Sequence, residues 1–412
     1  MSEAKLETIV AGSKRDRGIL LAGLITYGIG QTLLYIIFAP LGKQIGMPEW
    51  QIGTIISISN LAILFAAPFW GRKSDSMGRR AVFVIGMLGY AAGYLGLALG
   101  IQAGVAGVLI GLPLFLSLFA ARLLYGCLAG AAQPAAQAYI ADTTDESSRA
   151  QGMALIAASG GLGTIIGPVF ARALAEIGPL FPMYAAAALG LIAAVWAQFN
   201  LVEPARHVTE EKPAGMVKVF AKIFPYLLGW FVVFFVFTEI QTIATFMVAD
   251  KLDVAETQDQ IRVVGNAFFF MAIVTVIMQV IVMQKWKLQP RVLLRTAFIV
   301  FGLILLPMTA MTSTTDMYLI FAAMGFAVSL AMPSLSSAAS LSVGRREQGV
   351  AAGLLAAAPT CGMVFGPMIG GVLYGAGPEY PIWLGAGMVI LTGVYFWFVR
   401  IPEAAAADAS AS

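Results

Sequence analysis

Charge is scarce in this sequence. Of 412 residues only 11% are Asp, Glu, Lys or Arg, against about 25% in soluble domains, which excludes a soluble fold or a string of them. Histidine is nearly absent: His207 is the single one and lies in a polar stretch, so histidine catalysis and metal ligation have almost nothing to work with. The two cysteines, Cys127 and Cys361, fall in separate apolar runs. They suggest neither a ligand cluster nor a disulfide framework and read as small packing residues. Acids are missing from the apolar interior with one exception, so no aspartyl pair can form there. An intramembrane enzyme is therefore not expected, and no cofactor or metal is implied. The net charge of +3 calls for no nucleic-acid partner.

What is present is apolar length. Hydrophobic residues make up 59% of the chain, in continuous runs near the roughly 20 residues that a helix needs to cross a bilayer. Outer-membrane barrels would instead show alternating segments of about 10 residues. The chain is expected to be an all-α polytopic membrane protein with twelve transmembrane helices, near 18–42, 50–71, 81–101, 109–140, 150–175, 181–202, 224–249, 261–284, 291–311, 317–342, 348–375 and 380–400.

Charge orients this map. One set of loops keeps only Lys43, Arg172, Lys251 and Arg262, and the other set and the tails hold the remaining basic residues except Arg122. Basic loops stay cytoplasmic, so both termini are expected in the cytosol. The opening "MSEAKLETIVAGSKRDR" lacks a long apolar stretch and a small-residue cleavage site, so the first span is expected to act as an uncleaved signal. "VEPARHVTEEKPAGMVK", Val202 to Lys218, is the most polar interior stretch and reads as a linker. The expected divisions are a cytoplasmic segment 1–17, a six-helix bundle 18–202, a cytoplasmic linker 203–223, a second bundle 224–400, and a low-complexity, disordered cytoplasmic tail 401–412.

The halves repeat. "RAQG" at Arg149–Gly152 recurs as "REQG" at Arg346–Gly349, and "GTIIGP" at Gly163–Pro168 recurs as "GMVFGP" at Gly362–Pro367. Both matches fall at the fifth and eleventh spans, at offsets of 197 and 199 residues, as in the internal repeats of secondary transporters.

"FWGRKSDSMGRRAVF", between the second and third spans, resembles the G-x-x-x-D-x-x-G-R-[KR] loop of the major facilitator superfamily through Gly71, Asp75, Gly78, Arg79 and Arg80. Arg122 and Gly126 resemble its fourth-helix R-x-x-x-G motif. "GLGTIIGPVF" resembles the fifth-helix G-x-x-x-G-P motif associated with proton-driven antiporters. The resemblance covers essentially the whole chain and implies the major facilitator fold, two pseudo-symmetric six-helix bundles; the twelve-helix drug:proton antiporter branch is the most similar. Two departures stand out. Lys73 occupies a position that the family usually keeps apolar, and Ala171-Arg172 stands where a Gly-Gly pair is expected after Pro168. The eleventh span carries the full version, with Gly370 and Gly371.

Roles follow from chemistry and from this resemblance. Gly71, Asp75, Gly78, Arg79 and Arg80 are expected to gate the cytoplasmic side; basic loop residues that merely fix topology are the plainer account. Gly163 and Gly167, and Gly362 and Gly366, are four apart and so allow close backbone approach, while Pro168 and Pro367 kink their helices. Tyr27, Gln31 and Tyr35 form one helical stripe. Arg122, Gly126, Gly130, Gln133 and Gln137 form a second, and Phe235, Glu239, Thr242 and Phe246 a third. Residues at these spacings share a face, and polar faces turn away from lipid, so all three are expected to border a substrate cavity, with Ser57, Asn60, Asn266 and Gln279 as additions. Any single amide could equally be a buried clasp. Arg122 is a permanent cation, either an electrostatic anchor near Gln31 or a direct substrate contact.

Glu239 is the one acid deep in a span. A carboxyl taken out of water favours its neutral form, so an inward-facing Glu239 could exchange protons and couple them to transport. A fixed ion pair with Arg122 or another base is the competing account. The phenylalanines around it, among them Phe231, Phe234 and Phe237 with Phe268 to Phe270, suit an amphipathic or aromatic substrate. The expected function is proton-coupled efflux of hydrophobic or amphipathic small molecules, by a functional monomer in a bacterial inner membrane. Uptake or facilitated passage of a metabolite on the same fold is the alternative.

Overall fold

The computed structural model describes residues 3–144, 146–204, 215–284, 290–344, 347–399 and 401. The structure is helical throughout, with no strand among the described residues. Among the described residues twelve helices are long and apolar enough to cross a membrane: Arg15–Gln44, Glu49–Met77, Arg79–Val105, Gly111–Thr143, Gln151–Ala175, Phe181–Asn200, Met216–Asp250, Thr257–Gln279, Arg291–Ala310, Thr314–Leu341, Gln348–Ala376 and Tyr380–Phe398. Lipid offers the backbone no partners, so every span is a self-satisfied helix. Several run past the expected ends, because polar residues such as Arg72 to Ser76 continue the hydrogen-bond ladder to Met77. Most of the polar linker and tail, His207 included, and the side chains of Arg149 and Arg346 lie outside the described residues.

Helix ends are set locally. The tenth span opens with a capping box, in which Ser313 accepts from the Asp316 N–H and Asp316 answers the Ser313 N–H, so two end donors are satisfied at once. Between the second and third spans Gly78 adopts φ +99°, a left-handed conformation that side chains resist. Two helices are irregular inside. The first passes into a π-helical turn at Leu34–Phe38, and the fourth breaks at Gly130 and Ala131 before resuming at Ala132.

The described helices form two compact units. One takes the first six spans together with Glu256–Gly265, and the other takes the seventh span and the helices from Asn266 onward. Within the first, Gln258 Nε2 donates to the Ala175 carbonyl and Thr257 Oγ1 to Gln44 Oε1. Large side chains such as Phe65, Phe199, Leu391 and Phe398 are exposed.

Candidate functional site

In each unit the motif glycines build a seam against one helix. A Cβ on Gly163 would meet the Ile25 carbonyl, and one on Gly167 would meet Thr32 and the Ile29 carbonyl. In the second unit a Cβ on Gly362 would meet the Phe231 carbonyl, and one on Gly366 the Phe235 carbonyl and Thr238. Only glycine permits such helix contact. The two seams are in register, the fifth span on the first repeating as the eleventh on the seventh, down to Thr32 and Thr238 at matching places. They differ in one hydroxyl: Thr32 Oγ1 donates across the seam to the Thr164 carbonyl, 3.2 Å, whereas Thr238 Oγ1 donates back to Phe234 of its own helix, 2.7 Å.

Glu239 is the next step of the second seam. Its side chain is 0% exposed, and neither carboxylate oxygen has a hydrogen-bond partner among the described residues. It fits because its neighbours lack side chains: a Cβ on Gly370 would stand 3.0 Å from Glu239 Cγ, and one on Gly385 of the twelfth span 3.0 Å from Oε2. No salt bridge joins Glu239 to a base among the described residues. The rest of its expected stripe is buried as well. Phe235 is 2% exposed with its carbonyl on the seam, Thr242 Oγ1 donates to the Thr238 carbonyl, and Phe246 packs at a tilt against Tyr374 with centroids 5.3 Å apart. Asn266 is partly exposed and donates to the Tyr318 hydroxyl at 3.4 Å.

In the first unit, Arg122 is 1% exposed. Its Nη2 donates to Ser59 Oγ at 2.8 Å, while Nε and Nη1 have no partner among the described residues. Its Cζ lies 4.0 Å from the Tyr125 ring centroid and 5.8 Å from that of Tyr94, within cation–π range. Four predicted residues gather here. Gln31 Nε2 donates to the Tyr125 hydroxyl at 3.2 Å, Tyr27 lies beside Gln31 and Tyr125, and Tyr35, on the π turn, lies beside Asn60. Tyr90 donates to the Thr26 carbonyl at 2.9 Å and Tyr94 to the Gly30 carbonyl. Gln133 is not brought in: it follows the break at Gly130, is exposed, and lies about 16 Å along the helix axis from Arg122 at 1.5 Å per residue.

Sequence reasoning missed Ser59, Tyr90, Tyr94, Tyr125 and Gly385. The Tyr90–Tyr94 spacing in "GYAAGYLG" marks one helix face and was the available signal; nothing local marks Ser59 or Gly385. A recess of about 540 Å³ between the second and fourth spans, lined by residues such as Phe65, Phe69, Leu123 and Cys127, holds none of the predicted site residues.

The loop motif forms a charge cluster. Arg79 reaches Asp75 at 2.6 Å, Asp142 at 2.8 Å and Ser74 Oγ at 2.6 Å. The Arg79 and Arg80 amides both donate to the Glu203 carboxylate, which caps the third span where a helix N-terminus favours an anion. Gly78 leaves room for it, since a Cβ there would stand 2.9 Å from that carboxylate. Gly71 faces Pro134 at ordinary contact distance.

The sequence profile of the Major Facilitator Superfamily matches residues 20–358 and 229–412. Multidrug resistance protein 2 of Bacillus subtilis is 26% identical over 391 residues, covering 91% of this chain and 92% of the relative. Quinolone resistance protein NorA of Staphylococcus aureus is 24% identical over 382 residues, covering 90% and 92%. Among solved structures, a bacterial homolog of the human lysosomal transporter Spinster, inward-facing and occupied, aligns with a TM-score of 0.70 at 14% identity, covering 97% of both chains.

Proposed function

The chain belongs to the major facilitator superfamily and is a membrane transporter, not an enzyme; on that premise we propose that it couples proton movement to the efflux of hydrophobic or amphipathic small molecules. The relatives named for multidrug and quinolone resistance support export. The observation that carries the coupling is Glu239, fully buried on a glycine seam with no donor to either oxygen.

An ionised carboxyl in that place has lost its hydration and received nothing in return, a cost on the order of several kcal/mol. A bound proton removes that cost. Release of the proton therefore requires the seam between the seventh, eleventh and twelfth spans to open and admit water, and packing without water requires the proton back. The protonation state of one side chain and the packing of three helices become two readings of one equilibrium. Alternating access follows when substrate binding biases the same equilibrium. The Arg79 cluster with Asp75, Asp142 and Glu203 acts as the gate at the loop end of the first unit. On the basic-residue bias, both termini face the cytosol of a bacterial plasma membrane, and one chain is the functional unit.

The test is accumulation of a lipophilic dye in proteoliposomes under an imposed pH gradient, with internal pH followed in parallel. Wild type moves protons and dye together. Glu239→Gln retains gradient-independent exchange and loses gradient-driven accumulation by tenfold or more, roughly the kinetic weight of one positioned proton carrier. Full accumulation by Glu239→Gln would remove the coupling role.

A further inference from the structure

We propose that Arg122 recognises the anionic group of an amphipathic substrate, a carboxylate, because its guanidinium is sealed among aromatic rings and, among the described residues, Nε and Nη1 are unpartnered and no acid is paired to it. The inference rests on the transport reading above and names the substrate's polar end.

Hydrogen-bond supply and demand around the cation do not match. A guanidinium carries five N–H donors and cannot shed its charge in a protein. Here one bond, from Nη2 to Ser59 Oγ, is made. Whichever Nη2 hydrogen Ser59 takes, the other lies beside Nε or beside Nη1, and both of those are unpartnered. One two-hydrogen edge therefore stays open, and that edge matches the two oxygens of a carboxylate. The rings of Tyr125 and Tyr94 attract the charge, but their faces accept no in-plane hydrogen bond. The hydroxyl protons of Tyr90 and Tyr94 are committed to carbonyls of the first span, and the Tyr94 oxygen lies beside the guanidinium without closing a bond to Nε or Nη1. The surroundings hold the guanidinium in place without completing its bonds.

Entry is suggested by exposure. Tyr27 and Gln31 are partly exposed, while Tyr94, Tyr125 and Arg122 are not, so a ligand reaches the cation past Tyr27 and Gln31. Tyr27 offers a ring face for an aryl body, and Gln31 is held by the Tyr125 hydroxyl that it would leave on opening. Three residues on, the first span turns π-helical, a distortion that recurs at functional sites. A cation with only a structural role gains nothing from an unmatched edge; a binding residue needs one.

The test uses three probes with one ring system: pyrenebutyrate, pyrenebutyramide and pyrenebutylamine. Each is titrated by fluorescence into the purified full-length chain in an uncharged detergent, so that no anionic lipid competes. Wild type is expected to bind the acid about tenfold or more tightly than the amide, the range of one charged hydrogen-bonded pair, and the amine no better than the amide. Arg122→Gln brings the acid to the level of the amide and leaves the amide within about twofold. Arg122→Lys, which keeps the charge and loses the fork, retains only part of the preference. Equal binding of acid and amide by wild type overturns the inference without any variant, as does a preference that survives Arg122→Gln. Vesicle uptake separates the two readings. Acid preference in binding with no gradient-driven movement of any probe refutes coupled transport and leaves the anion site standing; gradient-driven movement without acid preference does the reverse.

Discussion

The two halves repeat one kind of seam, and each buries an ionisable group, of opposite kind in the two. In the first, Gly163 and Gly167 bring the fifth span onto the first, and the buried ion is Arg122, held by Ser59 and two tyrosine rings. In the second, Gly362 and Gly366 bring the eleventh span onto the seventh, and the buried group is Glu239, held by nothing polar. By the common register, Leu33 and Ala171 stand in the first half where Glu239 and Gly370 stand in the second. A group that is always charged must find part of its solvation in the protein. A group that can take up a proton needs none in its neutral state, only room, which Gly370 and Gly385 provide. Duplication supplied the scaffold, and the charges divide the labour.

If the seams are equivalent, each should break in the same way. Gly163→Leu and Gly366→Leu both drive a side chain into a facing backbone carbonyl, which cannot move aside, and each is expected to cost about 3 kcal/mol or more. Recovery of monodisperse protein from membranes should fall sharply for both. Gly160→Ala, in the same fifth span but with nothing within 4 Å of its Cβ, should leave recovery unchanged. Tolerance of Leu at 163 but not at 366 would end the claim of symmetry.

The contrast between the charges predicts opposite signs. Glu239→Leu removes a polar group that makes no bonds, so thermal stability should hold or rise by up to about 1 kcal/mol. Arg122→Lys replaces a flat cation on the Tyr125 face with a compact, strongly hydrated one and should lose about 1–2 kcal/mol. Thermal melts of the two variants in detergent read this directly. A large loss from Glu239→Leu would mean that the acid has a structural partner after all.

How much of this was legible beforehand follows from the range of the forces. The spans were readable because a bilayer imposes apolar length on each segment by itself, and the seams because a Gly-x-x-x-Gly spacing states its own purpose. Arg122 and Glu239 stood out as lone charges in apolar runs. What surrounds them did not, since Ser59 and Tyr94 reach Arg122, and Gly385 reaches Glu239, only through packing between helices distant in sequence. The π turn at Leu34–Phe38 has no local signal in the apolar run that forms it. The break at Gly130 and Ala131, just ahead of the exposed Gln133, was not readable from spacing either.

Swapping one residue between the seams sharpens the comparison further. Gly370→Ala installs the residue that the first half carries at Ala171, and its Cβ would stand 3.0 Å from Glu239 Cγ. The glutamate must then shift by a few tenths of an ångström, for about 1 kcal/mol. The reciprocal Ala171→Gly should cost about 0.5–1 kcal/mol through helix propensity alone. If room around the acid matters for its proton, Gly370→Ala should also slow gradient-driven uptake, whereas Ala171→Gly should not.

The loop ends of the two halves give the smallest effect. Arg79 in the first half is 12% exposed and bound to two acids, whereas Lys222 in the second is 48% exposed and bound to Glu347 alone, at 2.6 Å. Hydrogen bonds from Lys222 and from the Gly344 amide hold the Glu347 carboxyl below its ordinary value of 4.5. A carboxyl lowered in the folded state contributes stability that is complete above its unfolded value and is lost as pH falls toward the folded one. Wild type should therefore shed a small increment of melting temperature as pH drops below about 4.5, and Lys222→Ala should show less of that slope while melting nearly as wild type does at pH 7. Arg79→Ala should lower the melting temperature at neutral pH by clearly more than Lys222→Ala does. Equal losses from the two would mean that exposure, which separates these clusters, does not decide the strength of an ion pair at the ends of the helices.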